Sequence, residues 1–104
     1  MRAIWIPKAG KANVLELRES PDPEPKAAEV RVRVHAAGLN FAEVMARQGL
    51  YPDAPKMPFV PGYEAAGLVD AVGEGVTSVK VGDRVAALTR FGGHADCVVE
   101  VPEN

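Results

Sequence analysis

A single cysteine, Cys97, stands in these 104 residues. No intramolecular disulfide can form, and a reducing, intracellular compartment is the natural expectation. Long apolar runs are missing as well. The opening stretch MRAIWIPKAGK is interrupted by Pro7 and Gly10 before it reaches the length of a signal-peptide core. Nothing approaches the roughly 20 apolar residues of a membrane span, so the expectation is a cytoplasmic chain without a membrane partner. An excess of either charge is lacking too: 12 basic residues against 14 acidic ones give a net charge of −2, and the basic ones are scattered. Such a surface offers no long-range attraction for nucleic acid, which is set aside as a partner. Only His35 and His94 accompany Cys97 as soft ligands, too few for a four-ligand zinc site.

What is present is 47% hydrophobic and 25% charged residues, the balance of one soluble globular domain. Nine prolines and ten glycines favour many short strands joined by turns. Residues 2–6 read as a first strand ended by Pro7, followed by a turn around Gly10 and a partner strand over 14–18. The three prolines of SPDPEPKAA, 20–28, mark a surface loop. In EVRVRVHA, Val30, Val32, Val34 and Ala36 alternate with Arg31, Arg33 and His35, which predicts a half-buried strand with His35 solvated on its charged face. Asn40 with Glu43 three residues later forms a capping-box pattern, and the spacing of Phe41, Val44 and Met45 predicts one short helix over 41–48, stopped at Gly49. Strands return over 64–72, 83–89 and 94–101. The fold class expected is mainly β, a small partly open barrel with one short helix.

Several stretches carry candidate chemistry. VGEGVTS, 72–78, comes near a dinucleotide fingerprint, but alternating valines follow it in place of a helix, so it reads as a tight turn. His94 and Cys97 form an H-x-x-C pair whose side chains would diverge on a strand, and Cys97 reads as a small packing residue. Asn40 serves as a helix cap or, with its amide, as a contact that orients a ligand carbonyl or amide. Tyr51 reads as a hydrophobic loop anchor or as a hydroxyl donor at a pocket rim. Tyr63 and Glu64, in MPFVPGYEAAG, read as a structural pair, the glutamate accepting bonds from nearby backbone or from an arginine, with Arg47, Arg84 and Arg90 as candidates.

Four phrases occur in order: AAGLNFAEVMARQGLYP, PFVPGYEAAGLV, VGEGVTSVKVGDRVAAL and GGHADCVVEVP. Together they resemble the medium-chain dehydrogenase/reductase superfamily, over nearly the whole chain. The region is similar to the N-terminal, GroES-like part of the catalytic domain, and LNFAEVMARQGLY and LTRFGG resemble the zinc-independent quinone oxidoreductases, in the branch of the vesicle amine transport protein-like members. Zinc alcohol dehydrogenases of the superfamily carry Gly-His-Glu where this chain has Gly62-Tyr63-Glu64, and a cysteine ligand where it has Asn40. The four-cysteine lobe of those relatives is replaced by a short loop between Arg90 and Gly93. The resemblance therefore implies no zinc.

The same resemblance implies hydride transfer from NADPH to a quinone or an activated enone. Asn40 would lie near the nicotinamide and Tyr51 near the acceptor, with Asn40 and Arg90 as cofactor contacts. Some of these enzymes carry a tyrosine where this chain has Met45. Residues 1–104 would be the front part of the catalytic domain, with the cofactor-binding Rossmann domain outside this chain, so that the piece alone is inactive and its uncovered apolar surface self-associates as a homo-oligomer. The alternative is a stand-alone binding or assembly module, like the chaperonin-10 proteins that share the fold, for which LNF and GLYP have no evident use.

Overall fold

The computed structural model describes residues 1–102. Its elements are β1 (Arg2–Trp5), a single 3-10 turn (Ala12–Val14), β2 (Glu16–Glu19), β3 (Val30–Ala37), α1 (Phe41–Arg47), β4 (Glu64–Val72), β5 (Arg84–Leu88) and β6 (Cys97–Glu100). β1 and β2 form an antiparallel ribbon, and the other four make an antiparallel sheet in the order β5-β4-β3-β6. The sheets stay open, as a partly open GroES-like fold requires. Four expected strands are shorter than read: β1 ends at Trp5, its partner begins at Glu16 because residues 12–14 close a 3-10 turn, β5 spans Arg84–Leu88, and β6 begins at Cys97. The ribbon joins the sheet through the Ala3–Ala95 bridge, and Ile6 bridges to Phe59.

The valine pattern of β3 does what its period demands. Val30 and Val32 are buried with Val69 of β4 and Val98 of β6, and Val34, Val76, Val79 and Val85 pack around them. Burying each such side chain contributes about 1.5–3 kcal/mol. A second cluster, Ile6, Ala46 and Phe59, gathers Tyr51, Ala54, Met57 and Phe91 under the helix. There Phe59 meets Phe91 edge to face, with ring centroids 5.6 Å apart.

The alternation along β3 does not run to its end. Register passes from Arg31–Ala71 to Val32–Val69, leaving Asp70 as an extra residue of β4, and from Val34–Gly67 to Ala36–Ala66, leaving His35 extra on β3. These are two bulges, one on each strand. The second turns Ala36 away from the valine face where the alternation had put it, and Ala37 pairs with buried Ala65 instead. His35 is exposed, as expected.

Bulging gives Asp70 two guanidinium partners. Arg31 Nε lies 2.8 Å from its Oδ1, and Arg33 Nη2 lies 2.8 Å from its Oδ2. Arg33 also reaches Asp22 at 2.9 Å, and Arg31 reaches Glu24 at 3.6 Å. Partial burial alone would raise the Asp70 pKa, but the bonds from Arg31 and Arg33 outweigh it and hold it below the usual carboxylate range. The Arg33 bond, helped by the N-terminal ammonium, lowers Asp22 to about 2. The face read as merely charged is thus an ion-paired lattice. Among the described residues no helix is long and apolar enough to cross a membrane.

Candidate active site

The helix start and the 62–64 loop are built around one carboxylate. Asn40 sits in extended backbone just before α1 as its N-cap, and Glu43 is the third residue of the helix. The Glu43 carboxylate accepts the Asn40 N–H, while the Glu43 N–H bonds the Asn40 carbonyl at 3.1 Å. Its other oxygen, Oε1, accepts the Tyr63 N–H at 2.8 Å. One side chain therefore satisfies orphan donors on two segments 20 residues apart, and it fixes position 40 against position 63.

Tyr63 is held from its other side as well, since its carbonyl accepts the N–H of Thr89 at 2.8 Å and of Arg90 at 3.2 Å. Beside it, the Gly62 carbonyl accepts the Thr89 hydroxyl. Gly62 adopts φ +119°, and a Cβ there would fall 2.3 Å from the His94 nitrogen, so only glycine fits. Arg90 has φ +60°, an uncommon conformation for a residue with a side chain. This backbone frame carries the tyrosine with little freedom of its own.

Tyr51, Asp53, Tyr63, Arg90 and Phe91 line a cavity of about 230 Å³. Tyr63 and Arg90 also border a second cavity, about 480 Å³, that lies over Val30, Val32 and Val69 on the core face of the sheet. The Tyr51 side chain packs in the cluster under the helix, as a loop anchor would, and the residue also lines the cavity. Tyr51 and Arg90 are brought together; Asn40 is not among the lining residues and joins them only through Glu43 and Tyr63. Among the described residues, the phenols of Tyr51 and Tyr63 and the guanidinium of Arg90 make no hydrogen bond or ion pair. The Asn40 Nδ2 is buried and unpartnered as well.

Some expectations change. Glu64 pairs with none of Arg47, Arg84 and Arg90; its side chain packs over Gly38, where a Cβ would meet Oε1 at 2.0 Å, and Arg47 Nε donates to the Gly10 carbonyl at 3.1 Å. His94 precedes β6, and its Nε2 lies 3.0 Å from the Gly38 carbonyl oxygen. Cys97 is buried beside the Met1 sulfur at 3.7 Å, and burial raises its thiol pKa, which suits a packing residue. No group of three or more His, Cys, Asp or Glu side chains that could hold a metal ion occurs among the described residues. Asn40 and Tyr63, at the places where the resemblance puts the zinc ligands of other members, are not usual zinc donors. Tyr63 and Phe91 as cavity walls, and the second bond of Glu43, escape a reading by local spacing. The only signal was the crowding of Gly62-Tyr63-Glu64 between proline and the apolar run.

Comparison with known proteins agrees with this geometry. Residues 26–102 match the alcohol dehydrogenase GroES-like domain. The mouse synaptic vesicle membrane protein VAT-1 homolog-like is 42% identical over 98 residues, which cover 94% of this chain and 24% of that protein. Rat quinone oxidoreductase is 40% identical over 98 residues, covering 92% of this chain and 30% of that one. Among solved structures, Escherichia coli quinone oxidoreductase complexed with NADPH superposes with a TM-score of 0.91 at 36% identity, over 97% of this chain and 31% of that one. The chain thus spans about a quarter to a third of the length of these relatives. By the matched domain and by relatives that share its whole sheet, the chain belongs to the alcohol dehydrogenase GroES-like domain family, within the medium-chain dehydrogenase/reductase superfamily and beside the quinone oxidoreductases and VAT-1 homologs.

Proposed function

We propose that these residues form the acceptor-side wall of a reductase that takes hydride from NADPH and delivers it to a quinone or activated enone. The observation that carries the reading is the meeting of Tyr51 and Arg90, both with unpartnered polar heads, in one cavity beside the aromatic ring of Phe91. NADPH, when bound, supplies the hydride. Asn40 would hold the nicotinamide carboxamide, because its buried Nδ2 lacks an acceptor, and leaving such a donor unpaired costs about 1–3 kcal/mol. Tyr51 donates a hydrogen bond to the acceptor oxygen, and the fixed charge of Arg90 favours the negative charge that grows there. A quinone or enone delocalises that charge itself, which is why phenol and guanidinium suffice. Phe91 and the cluster behind it keep the ring of the acceptor out of water.

The rest of the nicotinamide site is assigned to a Rossmann domain outside residues 1–104. In support, the chain covers 31% of the NADPH-bound quinone oxidoreductase, and Leu39, Phe41 and Leu88 lie 87%, 74% and 73% exposed near the helix start and the end of β5. Apolar side chains so placed suit burial against a neighbouring domain or a second copy. The test is NADPH oxidation by the full-length protein with duroquinone or cyclohexenone as acceptor. Acceptor-dependent turnover that falls at least about tenfold in Tyr51→Phe is expected. Absence of turnover with either acceptor would leave the family's fold without its chemistry in this protein.

A further inference from the structure

We infer that Tyr63 is a specificity-determining residue, whose phenol takes the second carbonyl oxygen of a para-quinone while Tyr51 takes the first. The inference rests on the reductase reading above and narrows its acceptor from quinone or enone to a neutral para-quinone.

Two features of the cavity carry it. The first is the count of donors. Tyr51, Tyr63 and Arg90 line one space, and among the described residues neither phenol nor the guanidinium is bonded within the chain. Asp53 on the same wall is an acceptor and the phenols can also accept, so what the donors favour is a ligand with more than one acceptor oxygen. A para-quinone has two carbonyl oxygens and no donor; an enone has one oxygen and leaves one phenol unmatched. The second feature is charge. Asp53 stands on the same wall as Arg90 and forms no ion pair with it, so an acceptor bearing a carboxylate meets repulsion together with attraction. A neutral acceptor meets neither.

The backbone explains why Tyr63 can discriminate. Its N–H is held by Glu43 at 2.8 Å and its carbonyl by Thr89 and Arg90 at 2.8 and 3.2 Å. A donor on so constrained a backbone keeps its position between turnovers, which turns one hydrogen bond into selectivity. The electron balance is that of the parent reaction: hydride brings two electrons to the quinone, one proton follows from solvent, and hydroquinone leaves. Tyr63 supplies a hydrogen bond and is not consumed.

The experiment compares the wild-type full-length protein with Tyr63→Phe and Tyr51→Phe, using NADPH and either duroquinone or cyclohexenone. Tyr63→Phe keeps the ring and every backbone bond, so an unchanged thermal midpoint is expected and is measured alongside. The expected result is a fall of about tenfold in kcat/KM for duroquinone with cyclohexenone unaffected, while Tyr51→Phe lowers both. Equal loss on both acceptors, or no loss on either, overturns the role of Tyr63 and leaves the reductase reading intact. A wild-type protein that reduces cyclohexenone but not duroquinone does the same. If neither acceptor is reduced, the reductase reading falls and takes this inference with it.

Discussion

The outer face of β3 and the wall of the cavity are both polar, and they treat their polar groups in opposite ways. On β3, Arg31 and Arg33 share Asp70, and Arg33 adds Asp22, so each charge finds its partner within the chain. In the cavity, the donors of Tyr51, Tyr63 and Arg90 are bonded to no acceptor among the described residues. A group satisfied at home contributes to the fold; a held but unsatisfied one is available to a ligand. The same guanidinium is thus ion-paired at position 33 and, in the function proposed, left for a ligand at position 90, and the type of residue does not separate the two.

The sharpest way to break that contrast is to remove Asp70. Asp70→Ala leaves two half-buried guanidinium groups without their shared acceptor and should destabilise by about 1–3 kcal/mol. Chemical denaturation of the full-length protein measures this loss, and acceptor turnover below the transition should stay within twofold (about 0.4 kcal/mol) of wild type. A turnover defect equal to that of Tyr51→Phe would mean that the two regions are one.

Acid sharpens the comparison. Asp22 and Asp70 titrate lower in the folded chain than in the unfolded one, Asp22 at about 2 against 3.8. Depressed carboxylates lend stability that is complete above the unfolded value and is lost as pH falls through the folded one. Stability should hold down to about pH 4 and then fall toward pH 2. Urea midpoints across that range should fall less steeply in Asp70→Ala than in wild type, because one of the depressed groups is gone.

The smallest expected effect runs the other way. Arg90 holds φ +60°, where glycine carries no steric cost. Arg90→Gly should change stability by a gain of about 0.5–1 kcal/mol while lowering reduction of duroquinone. A thermal midpoint that drops would show Arg90 to be held by contacts that matter for folding, and the cavity wall would then resemble the face of β3.

How much of this was legible depends on the distance over which each signal acts. The Asn40–Glu43 cap, the short helix and the valine stripe of β3 were readable, because their causes lie within a few residues. The bulges at Asp70 and His35 were not: a bulge shows only in the pairing of two strands, and an unbroken alternation of valine and arginine conceals it. Glu43 was read for its bond at three residues and missed for its bond at 20, since nothing local points to Tyr63. Arg90 is named as a cofactor contact by the resemblance, while its link to the Tyr63 carbonyl has no local signal. Local chemistry names the candidate groups, and long-range pairing decides which ones meet.

The double grip of Glu43 has a mechanical consequence. Helix start and cavity wall hang from the two oxygens of one carboxylate, so a substitution that removes it unties both segments at once.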